Sequence, residues 1–207
     1  MTSSWLPRAL EESRARGFLG PGAIEPQILH AEGFALAWEQ DTDAPPDSFL
    51  DLGSGGGLPG LVLLARWEKR GVLNDSMAKR IEYLREVLAW PGAPTGGEVV
   101  LGRAEEVARW PEFDGTFDLV TARSFGPPSA TAECAARLLK IGGILVVSEP
   151  PTEGDASRWS VPGLALMGLS LQARVRHGAN FQIIRKETPT PADYPRSIGT
   201  PAKRPLF

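Results

Sequence analysis

The sequence predicts an α/β protein with a mostly parallel sheet, helices on both faces of the sheet, and an antiparallel edge. Between residues 49 and 148, short apolar runs alternate with segments of helical periodicity, as in strand and helix units of a parallel sheet. A glycine-rich loop lies directly between the first apolar run and the helical segment that follows it. Two alternating runs flank residues 177–180 near the end of the chain, which predicts a hairpin and hence antiparallel strands.

The first 48 residues predict a helical appendage ahead of the sheet. Helical spacing of apolar residues covers 5–16 and 26–40, and glycines between these segments separate two helices. Residues 41–47 contain two prolines and predict a turn. We therefore expect the appendage over residues 1–48 and a sheet-containing domain with a basic tail over residues 49–207.

Five strands and four helices are expected to alternate after residue 48. The strands are predicted at 49–52, 72–74, 99–101, 117–122 and 144–148, and the helices at 60–67, 77–88, 104–110 and 128–140. Asp75 or Ser76 is the expected cap of the second helix, which would bury Met77 on the same face as three later apolar residues. Gly142 is the expected stop of the last helix.

Length and composition favour a self-sufficient core. The chain has 207 residues, 42% of them hydrophobic, and a single cysteine, Cys134, so an internal disulfide and a four-ligand zinc site built on cysteines are excluded. No apolar run approaches the length of a membrane span, and the first residues lack the pattern of a signal peptide. We expect a cytoplasmic monomer without metal or membrane contacts.

The charge is distributed unevenly along the chain. The net charge of the whole is −3, but residues 1–157 carry −9 and residues 158–207 carry +6. A basic end on an acidic body is compatible with a phosphate-binding face, and equally with a solvated polar tail.

The glycine-rich loop is the strongest local signal. Residues 51–60 read Asp-Leu-Gly-Ser-Gly-Gly-Gly-Leu-Pro-Gly between a strand and a helix, so backbone amides of the loop and of the helix N-terminus can approach a ligand closely. A dinucleotide-binding pattern is also satisfied by Gly55, Gly57 and Gly60. However, Asp51 and Gly53 precede that pattern, and the order Asp-Leu-Gly-x-Gly-x-Gly resembles the first motif of class I S-adenosylmethionine-dependent methyltransferases, which have a Rossmann-like fold.

Two further segments complete the expected cofactor site. Asp75 follows the second strand, 22 residues after Gly53, where a carboxylate can accept hydrogen bonds from both ribose hydroxyls. Ser76 adjoins it. Ala104 and Glu105 follow the third strand, whose backbone could frame an adenine ring, although Asp75 and Glu105 could equally be helix-capping acids.

Some chemical types of methyl acceptor are disfavoured because the sequence lacks the residues that they require. The end of the fourth strand lacks the Asn or Asp followed by Pro-Pro and an aromatic residue that is typical of amine methylation. Cys134 lies among alanines on a predicted helix, which indicates a packed side chain rather than a nucleophile. A purine ring nitrogen such as guanine N7 needs no deprotonation, so no side chain is expected to act as an obligatory base; His30 and His177 are expected outside the ligand loops.

Five motifs together resemble the RsmG (GidB) family. They cover about residues 49–206: the glycine loop 51–60, Asn-Asp-Ser-Met-Ala-Lys-Arg at 74–80, Gly-Arg-Ala-Glu-Glu at 102–106, Val-Thr-Ala-Arg at 120–123, and the terminal segment from Tyr194 to Leu206. The family's Trp-Asn and Asn-Leu-Thr stretches are absent from residues 1–48, and residues 148–151 replace a Lys-containing step. The resemblance implies S-adenosylmethionine as cofactor, guanine N7 of 16S ribosomal RNA as acceptor, and the RNA or small-subunit particle as partner.

The residues expected to bind the cofactor are Gly53, Ser54, Gly55, Gly57, Leu58, Asp75, Ser76, Ala104, Glu105 and Arg123. Among them, the resemblance implies Gly53, Leu58, Ala104, Glu105 and Arg123. Arg123 could instead hold guanine O6 or an RNA phosphate, because its planar fork suits either group. Arg196, Lys203 and Arg204 are expected to contact the RNA backbone from a tail that its prolines keep extended. Alternatively, the tail folds back, with Tyr194, Leu206 and Phe207 as apolar anchors.

Other functions remain open on the sequence alone. They are a small-molecule methyltransferase, a module that binds S-adenosylmethionine or RNA without turnover, and a nicotinamide-dependent reductase.

Overall fold

The computed structural model describes residues 5–40, 42, 44–151 and 158–207, and these form one seven-stranded sheet flanked by helices. The strands are β1 (Ser48–Leu52), β2 (Arg70–Asp75), β3 (Gly97–Leu101), β4 (Phe117–Ala122), β5 (Leu139–Glu149), β6 (Leu169–His177) and β7 (Ala179–Lys186). The helices are α1 (Trp5–Ala15), α2 (Ile24–Glu39), α3 (Gly60–Trp67), α4 (Ala78–Leu88), α5 (Ala104–Val107), α6 (Pro128–Ala136), α7 (Val161–Ala165) and α8 (Thr200–Lys203).

The strand order is β3-β2-β1-β4-β5-β7-β6. Strands β1 to β5 are parallel, whereas β7 pairs antiparallel with both β5 and β6. The order changes direction between β1 and β4, and in such sheets the crevice beyond the carboxyl ends of the strands at this point receives ligands. The predicted fold class is confirmed.

Two hydrophobic cores lie on opposite faces of the sheet. Successive strand residues point to opposite faces, so Phe49 and Leu73 pack with α1 to α4, while Leu50 and Val72 pack with α5 to α7. All five residues of β1 are buried, as expected for a strand that is covered on both faces. Each large apolar side chain buried in this way contributes about 1.5–3 kcal/mol.

The two N-terminal helices pack against the glycine loop and the sheet. Leu10 and Phe34 are fully buried in the first core, and Ser13 Oγ donates to the carbonyl oxygen of Gly56 at 2.8 Å. The division of the chain at residue 48 stays a prediction. Of the predicted turn at 41–47, Asp41 and Asp43 lie outside the described residues, as do residues 1–4 of the appendage.

The helix predicted at 128–140 is confirmed over residues 128–136, but its predicted end with a stop at Gly142 is wrong. Helix α6 ends at Ala136, and β5 begins at Leu139, so Gly142 lies inside the strand. The register of β5 shifts opposite Phe117 and Leu119, and Gly142 has a φ of +85° there. Glycine takes such a conformation at low cost, which explains its place in an irregular strand rather than after a helix.

The predicted burial of Met77 is also wrong. Met77 is 48% exposed and caps α4, while its backbone N–H donates to Asp75 Oδ1 at 2.8 Å. Ile81 and Leu84 are buried as predicted. Asp75 therefore satisfies an amide at the start of the helix without being the cap residue itself.

The C-terminal tail is folded, not extended as predicted. Gly199 has a φ of +74°, and α8 follows it directly. Tyr194, Leu206 and Phe207 pack against the second core, which confirms the packing alternative. Prolines fix local φ values, but here they permit a turn and a short helix that side chains elsewhere in the fold hold in place.

Candidate active site

Two neighbouring cavities lie at the carboxyl edge of the sheet. The first, which we call the β1–β3 cavity, has a volume of about 310 Å³ and follows the ends of β1, β2 and β3. The second, the β4–β5 cavity, has about 390 Å³ and follows the ends of β4 and β5. Both are lined by Ser124, Phe125 and Gly126 after β4, so a ligand in one cavity would lie beside a ligand in the other.

Asp75 forms the floor of the β1–β3 cavity at the end of β2. Its side chain is 6% exposed, and Oδ2 accepts hydrogen bonds from Gly55 N at 2.9 Å and Arg80 Nη1 at 3.3 Å. The carboxylate thus links the glycine loop to the start of α4. Because Asp75 is the last residue of β2, its carboxylate is placed to accept hydrogen bonds from the hydroxyls of a ribose.

The glycines of the loop serve two different purposes. Gly53 lines the β1–β3 cavity with a φ of +73°, and a Cβ there would lie 2.7 Å from the ring of Phe125. Gly60 lies away from the cavity, and a Cβ there would clash with Leu73 and with the carboxylate of Asp51. Only part of the glycine pattern therefore reflects approach to a ligand; the rest lets α3 pack closely on the sheet.

Asp51 holds the loop from inside the protein. It is fully buried, Oδ2 accepts from Gly60 N at 2.9 Å, and Oδ1 accepts from Thr121 Oγ1 at 3.0 Å. Burial raises the pKa of Asp51 to about 6, although these bonds and the nearby charge of Arg123 favour the ionised form. The residue connects β1, α3 and β4 at the point between the two cavities.

The folded tail forms one wall of the β1–β3 cavity. Glu105 Oε1 accepts a hydrogen bond from Gly199 N at 2.9 Å, and Pro201 and Ala202 of α8 line the cavity. Cys134 also lines this cavity but is only 2% exposed; burial raises the pKa of its thiol, and the nearby carboxylates of Glu105 and Glu133 act in the same direction. Its position among the buried residues of the second core agrees with the packing role predicted for it.

Arg123 and His30 meet at the β4–β5 cavity, although they come from distant parts of the chain. Arg123 follows β4, and His30 lies on α2. His30 lies outside the loops that follow the strands, as predicted, but α2 packs across the sheet and brings this side chain to the cavity. His177 lines neither cavity, and its Nε2 is 3.4 Å from Gln40 Oε1.

The far side of the β4–β5 cavity is a fixed polar group of side chains. Glu149 is nearly buried at the end of β5, and its carboxylate accepts hydrogen bonds from Arg158 and from the indole of Trp159 at 3.0 Å. All three side chains line the cavity. Of these three residues, Glu149 lies in the segment 148–151, where the sequence departs from the motifs of the RsmG family, whereas Arg158 and Trp159 follow that segment.

The structure brings half of the ten predicted cofactor residues to one cavity. Those that line the β1–β3 cavity are Gly53, Asp75, Ser76, Ala104 and Glu105. Ser54, Gly55, Gly57 and Leu58 lie in the adjoining loop but not in the cavity lining, and Arg123 lines the other cavity. Phe125 and Arg80 also line the β1–β3 cavity but were not predicted as site residues. Of the two, only Arg80 belongs to one of the motifs shared with the RsmG family, so only Arg80 could have been found from the sequence.

The three basic residues of the tail have different surroundings. Arg196 lies against buried Glu133 and donates three hydrogen bonds to its carboxylate, from the backbone N and from Nε and Nη2, at 2.7–2.9 Å. Lys203 and Arg204 are exposed at the end of α8. An RNA contact of these three residues stays a prediction, and the geometry favours Lys203 and Arg204 for it.

Each cavity is lined by at least one residue with a buried nitrogen that has no hydrogen-bond partner among the described residues. Within the described ranges, the buried side-chain atoms without a hydrogen-bond partner are His30 Nδ1, Arg80 Nε and Arg123 Nη1. Arg80 lines the β1–β3 cavity, and the other two line the β4–β5 cavity. Because buried polar groups are nearly always paired, such atoms indicate places where a ligand completes the bonding.

No group of three or more His, Cys, Asp or Glu residues in the described part of the chain could hold a metal ion. None of the helices in that part has the length and apolar character needed to cross a membrane.

Strand order, a glycine loop after β1, and an acidic residue after β2 define the class I S-adenosylmethionine-dependent methyltransferase fold. A variant of MtNAS in complex with S-adenosylmethionine superimposes with a TM-score of 0.60 at 12% identity, over 87% of this chain and 73% of that chain. Residues 34–151 match the family model GidB, described as rRNA small subunit methyltransferase G.

The chain belongs to this family, which confirms the resemblance of its motifs. It is 32% identical over 176 residues to Ribosomal RNA small subunit methyltransferase G of Leuconostoc mesenteroides, covering 82% of this chain and 73% of the relative. The protein of the same name from Symbiobacterium thermophilum is 35% identical over 193 residues, covering 85% and 75%.

Proposed function

We propose that this protein transfers a methyl group from S-adenosylmethionine to N7 of a guanine in 16S ribosomal RNA, on the RNA or the small ribosomal subunit. The observation that carries this proposal is the pair of adjoining cavities at the carboxyl edge of the sheet, which share Ser124, Phe125 and Gly126. Family membership supports the choice of ribosomal RNA as substrate.

The residues of the β1–β3 cavity fit S-adenosylmethionine. Asp75 supplies a buried carboxylate for ribose hydroxyls, and Arg80 supplies an unpartnered buried nitrogen. Phe125 and Ala130 supply apolar surface. A volume of about 310 Å³ is at the lower end of the usual range for small-molecule sites, so we expect some adjustment of the α8 wall on binding.

Transfer to guanine N7 requires no general base, so the carboxylates of the two cavities are not needed for proton transfer. When bound, S-adenosylmethionine supplies a methyl group on positively charged sulfur; the N7 lone pair forms the new C–N bond while the C–S bond breaks and its electron pair stays on sulfur. No proton leaves N7 in this step. The protein contributes by holding the base in line and by excluding water.

The acceptor RNA is large, so it must also contact the surface around the cavities. Lys203 and Arg204 lie next to Pro201 and Ala202, which line the β1–β3 cavity. Arg158 lies at the rim of the β4–β5 cavity, with its side chain 36% exposed. These positive charges suit phosphates on either side of an inserted nucleotide.

The direct test is to map N7-methylguanine in 16S RNA from cells with and without this gene. We expect one modified position to be lost on deletion, restored by the wild-type gene, and not restored by Asp75→Ala. An unchanged modification pattern after deletion would refute the proposal. Purified protein and small-subunit particles from the deletion strain, incubated with radiolabelled S-adenosylmethionine, should reproduce the same modification.

A further inference from the structure

Two side chains that line the β4–β5 cavity, Arg123 and His30, each carry a buried nitrogen without a hydrogen-bond partner in the described part of the chain, and these two nitrogens differ in chemistry. Arg123 Nη1 belongs to a guanidinium, which can only donate hydrogen bonds. His30 Nδ1 belongs to an imidazole, which in its neutral form has one donor nitrogen and one acceptor nitrogen. The cavity can therefore present a donor beside an acceptor.

His30 is held in place by aromatic side chains from two elements. Its ring lies 5.9 Å from that of Phe34, edge-on, and 5.5 Å from that of Phe181 on β7. Burial lowers the pKa of His30 to about 4, and the positive charge of Arg123 acts in the same direction, so the imidazole is neutral near pH 7. An imidazole fixed in this way, with an unpaired Nδ1, carries an energetic cost that a bound ligand would remove.

A donor beside an acceptor is complementary to one edge of guanine. Guanine presents the acceptor O6 next to the donor N1–H, whereas adenine presents an amino group next to an acceptor nitrogen. Bases that are displaced from an RNA stack are commonly recognised on this edge and against aromatic rings. Binding there leaves N7 uncovered, because N7 lies on the other side of O6 from N1.

We infer that the β4–β5 cavity is the acceptor-base site, in which Arg123 donates to guanine O6 and His30 Nδ1 accepts from guanine N1–H. This inference rests on the proposed function and deepens it. The N-terminal helix α2 then contributes to the choice of base, and Phe125, which lines both cavities, lies beside both the base and the cofactor. His30 selects guanine over adenine without taking part in a proton transfer.

The test measures mononucleotide binding to the purified protein saturated with S-adenosylhomocysteine. Ligand-detected NMR titrations would compare guanosine, inosine and adenosine monophosphates. Inosine monophosphate keeps O6 and N1–H but lacks the 2-amino group, so we expect it to bind within about threefold of guanosine monophosphate. Adenosine monophosphate should bind at least tenfold more weakly, as expected when a charged and a neutral hydrogen bond are lost.

Variants of His30 separate recognition from packing. We expect His30→Leu, which keeps apolar contact with Phe34 and Phe181, to weaken guanosine monophosphate binding at least tenfold. His30→Gln, which restores an acceptor, should recover part of that loss. Leu29→Ala is the matched control, because Leu29 is the neighbour of His30 on α2 and is 70% exposed. Affinity for S-adenosylhomocysteine should remain unchanged in all three variants, and a cooperative thermal transition should show that each of them is folded.

Either of two results would overturn the inference: equal binding of adenosine and guanosine monophosphates, or unchanged guanosine monophosphate binding in folded His30→Leu. Weak inosine binding would also contradict it, since that would assign recognition to the 2-amino group. The outcome is independent of the proposed function, which is decided by the modification map of 16S RNA.

Discussion

A single buried carboxylate, Asp51, connects the glycine loop to the middle of the sheet. Its two oxygens accept from Gly60 N and Thr121 Oγ1, and its charge lies near Arg123. The native pKa of about 6 is above the ordinary value of 3.8, so folding favours the protonated form. The contribution of Asp51 to stability is therefore largest at low pH and falls as the pH rises from about 4 to about 6.

We predict that Asp51→Asn removes this loss of stability. The amide can accept from Gly60 N through its oxygen and donate to Thr121 Oγ1 through its nitrogen, without a buried charge. Relative to wild type, the free energy of unfolding of the variant should rise between pH 4.5 and pH 7 by about 1–3 kcal/mol. Urea denaturation at both pH values measures this; a pH-independent difference between the two proteins would contradict it.

Substitution of Asp75 should change the affinity of the protein for its ligand. Asp75→Ala should weaken S-adenosylmethionine binding by about 1–3 kcal/mol, because the ribose loses a charged acceptor and the Gly55 amide loses its partner. Isothermal titration calorimetry is the measurement. Glu82→Gln, at an exposed position on α4, is the control. Equal affinities of a folded Asp75→Ala and wild type would exclude Asp75 from the site.

At the scale of elements, the tail is the segment whose role depends most on its contacts. Glu133 on α6 is fully buried and bonds to Arg196, Glu105 on α5 bonds to Gly199, and Ser129 Oγ accepts from Leu206 N at 2.8 Å. These three hydrogen-bonded contacts, distributed over the tail from Tyr194 to Phe207, hold α8 at the β1–β3 cavity. If the cofactor binds in this cavity as proposed, both stability and cofactor binding depend on a segment with a basic surface.

Replacement of Arg196 should destabilise the fold, because it leaves a buried carboxylate without its cation. We predict a cost of about 2–3 kcal/mol for Arg196→Gln, at the lower end for a broken buried ion pair since the Arg196 side chain is 25% exposed. Lys203→Gln, at an exposed position of the same tail, should change the free energy of unfolding by less than about 0.5 kcal/mol. If urea denaturation gave the same stability for both variants, the Glu133 anchor would not support the tail.

The exposed cations of α8 test the RNA contact separately from packing. The double variant Lys203→Gln, Arg204→Gln should bind small-subunit particles more weakly, with melting temperature and S-adenosylmethionine affinity unchanged. Each lost phosphate contact should reduce the slope of log affinity against log salt by about 0.7–0.9. Binding measured over a range of salt concentrations gives this slope. A double variant with wild-type affinity and slope would leave the tail as a packing element alone.

At the scale of the whole molecule, the reaction should be insensitive to pH. Guanine N7 needs no deprotonation, and His30, with a pKa of about 4, is neutral over the tested range. We predict a constant single-turnover rate of methyl transfer from pH 7 to pH 9, measured by rapid quench with excess protein. A rate that rises with a single titration in this range would indicate a general base and would contradict transfer to N7.

Local patterns in the sequence were sufficient for the central part of the fold. Helix α3 and strand β4 have the predicted bounds, since an apolar run that ends at a glycine loop or turn has few alternative conformations. The Gly53 and Asp75 positions followed from the same local order. Residues 137–140 were predicted wrongly as helix because a short segment is compatible with either structure until it pairs with a neighbouring strand.

The sequence by itself thus determined the fold class, the family, and the positions of Gly53 and Asp75 at the β1–β3 cavity. The β4–β5 cavity could be identified only from the tertiary structure. Its residues His30, Arg123 and Glu149 are separated by dozens of residues in the sequence and meet through the packing of α2 across the sheet. The tertiary structure also decided the shape of the tail, which depends on buried Glu133 and Glu105 far earlier in the chain. Periodicity and motif spacing report local conformation, whereas contacts between distant segments depend on how the elements pack.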